Sequence, residues 1–336
     1  MRRFLLLTMV MISLKAISQD STINDLTKDM DGSANEKKVP AKIFDSQKAI
    51  NANTTETVGK GKMEFRVMHN FYDVAGTNGG IENFFGLDNA ADIKIAFQVG
   101  LGHRFDVVGA RIRGGEPYQT PYTRVQKIYE LGFKYKFLEQ LENDPKHPLS
   151  MALFANIAVT SMPIPPQVLS APPAVQDSAI NHYENFSERL SQTLQLIIAR
   201  KFGKVSLQVS GTLVHTNRVT TGDDNSILAL GAVARVPISK RVAIIIDYMH
   251  PFHSEDAKNF FKSPGSVVHP VTNFYDLLGV GFEITTAGHV FHLNFTNSTE
   301  LLENRYIPRT VTSWSKGQFR WSFSIARKFS LWRPKS

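Results

Sequence analysis

The stretch "IYELGFKYKF" (Ile128–Phe137) sets two kinds of side chain in strict alternation. Tyr129, Leu131, Phe133, Tyr135 and Phe137 share one face, and Glu130, Gly132, Lys134 and Lys136 share the other. Strand side chains alternate with a period of two, whereas helical ones recur every 3.6 residues. The stretch therefore predicts a strand with one apolar and one polar face. "KMEFRVMHNF" (Lys62–Phe71), "DIKIAFQVGL" (Asp92–Leu101) and "GQFRWSFSIARKF" (Gly317–Phe329) read the same way. A charge at every second position excludes burial of both faces in an apolar core.

Further strands are expected over Arg104–Arg113, Leu149–Thr160, Leu190–Phe202, Val205–Asn217, Ile227–Val236, Val242–His250, Phe274–Thr285 and Gly288–Ser298, making about 12 in all. Many exceed the usual strand length of about 5–6 residues and suit tilted membrane-crossing strands. The links alternate: short near 102, 203, 237–241 and 285–288, with 138–148 somewhat longer among them, and long at 72–91, 114–126, 161–189, 218–226, 251–273 and 299–316. That pattern predicts an all-β fold, a transmembrane antiparallel β-barrel with short periplasmic turns and long extracellular loops. A soluble sandwich has no need of alternating links. In lipid every backbone N–H and C=O must be paired, so a β-structure there closes on itself.

The N-terminal residues fit the same destination. Met1-Arg2-Arg3, an apolar run from Phe4 to Leu14 and the small residues Ala16 and Ser18 form a secretory signal pattern, with cleavage expected after Ser18. The apolar run is shorter than the roughly 20 residues of a spanning helix. The expected organisation is a signal peptide at 1–18, a periplasmic arm at 19–59 and a barrel at 60–336, located in the outer membrane. The chain contains no cysteine, which excludes disulfides, thiolate metal sites and thiol nucleophiles. The net charge of +8 would suit a nucleic-acid ligand, but an export signal argues against one. Outer-membrane lipid and small solutes are the expected partners.

Several stretches resemble a known family. "IFDSQKAINANTTETVGKGKMEFRVMHNF" (Ile43–Phe71), "FFGLDNAADIKIAFQVGL" (Phe84–Leu101), "LQLIIARKF" (Leu194–Phe202) and "TTAGHVFHLNFTNS" (Thr285–Ser298) are similar to an uncharacterised outer-membrane β-barrel family of Bacteroidetes-type Gram-negative bacteria. The resemblance runs from about Ile43 to Phe329. It implies the fold and an outer-membrane location, and it implies no reaction. The Pro-rich stretch Ser161–Val175 and His292 depart from the family's pattern.

Candidate chemistry is sparse. His215 with Asn217, and His250, His253 and His269, could supply a lipid-modifying site at the rim, yet no nucleophile elbow or metalloprotease helix accompanies them. "GLDNAAD" (Gly86–Asp92) and "TGDDNS" (Thr221–Ser226) hold clustered oxygen ligands without calcium-loop spacing. His289 and His292 lie three apart, so on a strand they face opposite ways and cannot share a metal. No cofactor, metal or catalytic set is expected. The inward set is Glu64, Arg66, Lys94, Glu130, Lys134, Arg235, Asp247, Glu283, His292, Asn294 and Arg320. Mixed charges leave two pictures, a narrow channel for small solutes or a lumen filled by interlocking ion pairs, because wide water-filled channels need about 16–18 strands. A passive or selective solute channel is the first expectation. An interaction barrel with an occluded lumen is the second and a rim enzyme the third.

Overall fold

A computed structural model describes residues 38–76, 79–114, 126–164, 166–179, 182–263 and 272–332. The expected signal peptide at 1–18, the first part of the arm at 19–37, and His269 lie outside these residues. The described residues form twelve antiparallel strands: β1 (Lys62–Asp73), β2 (Ala90–Gly100), β3 (Phe105–Gly114), β4 (Gln126–Leu138), β5 (Ser150–Thr160) and β6 (Leu190–Phe202), then β7 (Val205–Thr216), β8 (Ser226–Pro237), β9 (Val242–Phe252), β10 (Leu277–Thr285), β11 (His289–Thr296) and β12 (Arg320–Ser330). Each strand pairs with its neighbours in sequence, and β1 pairs with β12 to close the barrel. The closing register runs from Lys62 opposite Ser330 to Asp73 opposite Arg320, with a bulge past Asn70. No edge is left, so the strand backbone is paired within the sheet, as a lipid environment requires.

The alternation in the sequence becomes the two faces of the wall. Along β4, Tyr129, Leu131, Phe133 and Tyr135 are exposed while Glu130, Lys134 and Lys136 are buried. The same outward apolar exposure recurs at Phe97, Leu196, Val209, Leu230 and Phe282. A soluble protein rarely exposes so continuous an apolar belt; a barrel in lipid must. The short links 101–104, 203–204, 238–241 and 286–288 gather at one end, together with Lys62 and Ser330. The links 217–225 and 297–319 gather at the other.

One expectation is corrected. Residues 40–59, read as the end of an arm outside the barrel, run into its lumen. Ile43, Phe44, Ser46, Ala49, Ile50, Asn51, Ala52, Thr54 and Thr55 are all buried. Two features of the sequence explain it. The segment carries its own apolar residues, and the inward positions Ala199 on β6, Val233 on β8 and Ile245 on β9 are apolar as well. Ile43, Phe44, Ala49, Ile50 and Ala52 pack on Ala199, Val233 and Ile245 in one core.

Candidate functional site: a filled lumen

The segment 41–58 enters at the short-turn end. There the Ala41 amide donates to the Gln140 carbonyl (2.8 Å), and the Val58 amide donates to Asp106 (2.8 Å). Between these anchors it folds back on itself. The Thr54 amide donates to the Gln47 carbonyl (3.0 Å) and the Ala49 amide to the Ala52 carbonyl (2.9 Å), which puts 49–52 at the tip.

The wall receives this hairpin with matched polar groups. Asp247 on β9 accepts from the Asn51 and Ala52 amides at 2.6 and 2.8 Å. Lys134 on β4 donates to the Gln47 and Glu56 carbonyls at 3.0 and 3.2 Å. Gln208 donates to the Asn53 carbonyl (2.8 Å) and Ser206 to the Ile43 carbonyl (2.6 Å). Arg66 bridges Glu64 (2.6 Å) and Ser46 (2.5 Å). Arg235 bridges Glu283 (2.7 Å) and Asp45. Gly279 on β10 clears space for the tip, since a Cβ there would lie 3.1 Å from the Ile50 side chain.

A second element closes the other end. The 297–319 link folds inward and carries a short helix, Glu303–Tyr306. Asn297 pins its base by accepting from the Leu278 amide (2.8 Å) and donating to the Thr312 carbonyl (2.9 Å). Asp92 holds the Leu301 amide (2.9 Å). Leu302 packs among Ala96, Ala110, Ile112, Ile128 and Ala158. Glu303 then meets the hairpin, pairing with Lys48 and accepting from Asn53 (2.9 Å), and the Tyr306 hydroxyl donates to the Asn51 carbonyl (3.2 Å). Lys94 pairs with Glu130 (2.6 Å) and stands 4.0 Å from Glu303. Burial raises the Glu303 carboxyl, but Lys48 and then Lys94 more than offset it and hold it below the usual range. Asp45 behaves alike, with burial outweighed by Lys42 and Arg235.

All eleven residues read from alternation point into this filled interior. Glu64, Arg66, Lys94, Glu130, Lys134, Asp247, Glu283, His292, Asn294 and Arg320 are buried, and Arg235 is half-buried. Arg320 pairs with Asp73 on β1 (2.7 Å), and Asn294 faces Gly281 across the ladder. His292 sits between Ser324 (2.9 Å) and Glu283 (3.1 Å), its direct partners on β12 and β10, while His289 faces outward against Phe291. The lumen partners Asp45, Lys48, Asn51, Asn53, Glu303 and Tyr306 have no period-two signature and were not legible from alternation. Between the hairpin and β1–β5 there remains a cavity of about 20 Å³, room for about one water.

The other candidates find local partners. His215 approaches the Ser226 hydroxyl at 2.8 Å on the outer wall, and among the described residues no carboxylate pairs with it. His250 meets Asp276 (2.8 Å), and His253 stacks on Phe274. Asp223 pairs with Arg309 (2.7 Å) and Asp224 accepts from the Ser254 amide (2.8 Å), so the 221–226 loop spends its carboxylates on the protein itself.

The family model described as "Membrane bound beta barrel domain (DUF5777)" matches residues 44–329. Among solved structures, a KdgM porin is similar at 7% identity and a TM-score of 0.43, covering 80% of this chain and 99% of its own. A COG4313 outer membrane channel from Pseudomonas putida F1 is similar at 13% identity and 0.42, covering 83% and 100%. LpxR from Salmonella typhimurium is similar at 10% identity and 0.38, covering 80% and 99%. No curated protein matches.

Proposed function

Since the chain belongs to the membrane-bound β-barrel domain family DUF5777, we propose that it is an outer-membrane barrel whose lumen is closed at rest, with its short turns in the periplasm and its long loops outside. The observation that carries this reading is the buried hairpin 41–58. An open channel keeps its lining charges in water. Here Lys94 pairs with Glu130, Arg235 with Glu283 and with Asp45 of the hairpin, and Arg320 with Asp73 on β1. The space left between the hairpin and β1–β5 is about 20 Å³. The protein then acts through its outer loops rather than by steady conduction.

A second reading is favoured by the hairpin's attachments, several of which are single polar contacts from wall side chains such as Ser206 and Gln208. Withdrawal of 41–58 toward the periplasm would open a passage for small solutes. Planar-bilayer recording separates the two states. The full chain is expected to be silent, and a chain lacking residues 41–58 to show discrete conductance steps. Steady conductance of the intact chain would overturn the closed reading.

A further inference from the structure

The long-loop end holds a second site that the lumen does not use. Where residues 183–191 and 216–224 meet the inward-folded loop, there is a cleft of about 50 Å³. One water needs roughly 10–15 Å³. Four guanidinium groups line it: Arg189, Arg218, Arg305 and Arg309.

Their partners divide them. Arg309 is neutralised by Asp223 (2.7 Å) and Arg305 by Glu300 (3.1 Å). Arg218 is held chiefly by backbone carbonyls, donating to His182 (2.6 Å) and Gln176 (3.2 Å), and makes a long ion pair with Glu188 (3.9 Å), which lines the same cleft. Arg189 donates to the Met162 carbonyl (2.7 Å) and lies 4.5 Å from the Tyr183 ring. Carbonyls fix a guanidinium in place without cancelling its charge. Arg189, with no carboxylate partner among the described residues, and Arg218, only loosely paired with Glu188, therefore present oriented positive charge in the planar fork that matches a carboxylate.

Asn304 supplies the second, independent observation. It lines the same cleft, only 2% of it is exposed, and neither its Oδ1 nor its Nδ2 has a partner among the described residues. A buried amide left open on both atoms is costly, and such groups are nearly always satisfied. One acceptor and one donor side by side suit hydroxyl groups. We propose that this cleft binds a small hydroxylated carboxylate, a sugar acid or hydroxy acid, with its carboxylate on Arg189 and Arg218 and its hydroxyls on Asn304. The site needs no open lumen.

Titration calorimetry of the full chain in detergent tests this, with D-glucuronate, D-glucose, acetate and inorganic phosphate as probes. D-glucuronate is expected to bind saturably, and glucose and acetate at least about tenfold more weakly. Arg189→Gln and Asn304→Ala should each weaken glucuronate binding at least about tenfold. Arg189 is half-buried at the rim, so its variant keeps the test standing if Asn304→Ala fails to fold. Absence of saturable glucuronate binding up to about 10 mM would overturn the site. So would glucose or phosphate binding as tightly as glucuronate, or affinity unchanged in both variants.

Discussion

At the scale of the residue, the decisive contact is Lys48 with Glu303, a buried pair joining two segments 255 positions apart in sequence. Removing one partner strands the other charge in the interior, which costs about 3–5 kcal/mol. Glu303→Gln is thus expected to lower the urea midpoint in detergent markedly, whereas Lys48→Met with Glu303→Leu should recover most of the loss. Acid gives an independent handle. The folded-state values of Glu303 and Asp45 are depressed, so the stability they contribute is present above the unfolded carboxylate range of about 4 and is lost as pH falls through their folded values. Their pairing with Lys48 and Arg235 should hold at neutral pH and fail in strong acid, which limited proteolysis within 40–59 would follow. Alternation alone places Glu64, Lys94, Glu130, Asp247 and Arg320 inward. It cannot supply Asp45, Lys48 or Glu303, because these lie on irregular backbone where no period fixes the direction of a side chain.

At the scale of the element, the strands were legible because each must show lipid one face and the lumen the other. That constraint predicts a sharp penalty. Leu131→Arg, at an outward position on β4 that is 66% exposed, should destabilise the barrel in lipid by about 2–4 kcal/mol if it lies near the midplane. Equilibrium unfolding from lipid vesicles measures it. The hairpin was less legible, though a signal was present. "VAIIID" (Val242–Asp247) is apolar on both faces, a pattern of strands covered on both sides. Read that way, β9 already required something apolar inside the barrel, and Ile43, Phe44 and Ile50 provide it. Gly279→Phe places a ring where Ile50 sits at 3.1 Å from a Cβ. It should raise the protease sensitivity of 40–59 while leaving the heat-modifiable mobility of the barrel unchanged.

At the scale of the whole molecule, twelve strands close a wall too narrow for a wide aqueous pore, and the chain fills it from both ends. The hairpin enters by the short-turn end and the Glu303–Tyr306 loop by the other, and they meet at Lys48, Asn51 and Glu303. The loop's neighbouring residue, Asn304, opens into the arginine-lined cleft, so the same four-residue helix touches both features. The central claim is that residues 41–58 occupy the lumen of the folded protein. The chain has no cysteine, so Ala49→Cys introduces a single thiol at a position 1% exposed. The measurement is its rate of modification by a maleimide in the folded, membrane-inserted protein, beside the urea-unfolded control. Protection of the thiol when folded, partly lost on adding Asp247→Asn, is the predicted result; labelling of the folded protein as fast as the unfolded control would contradict it.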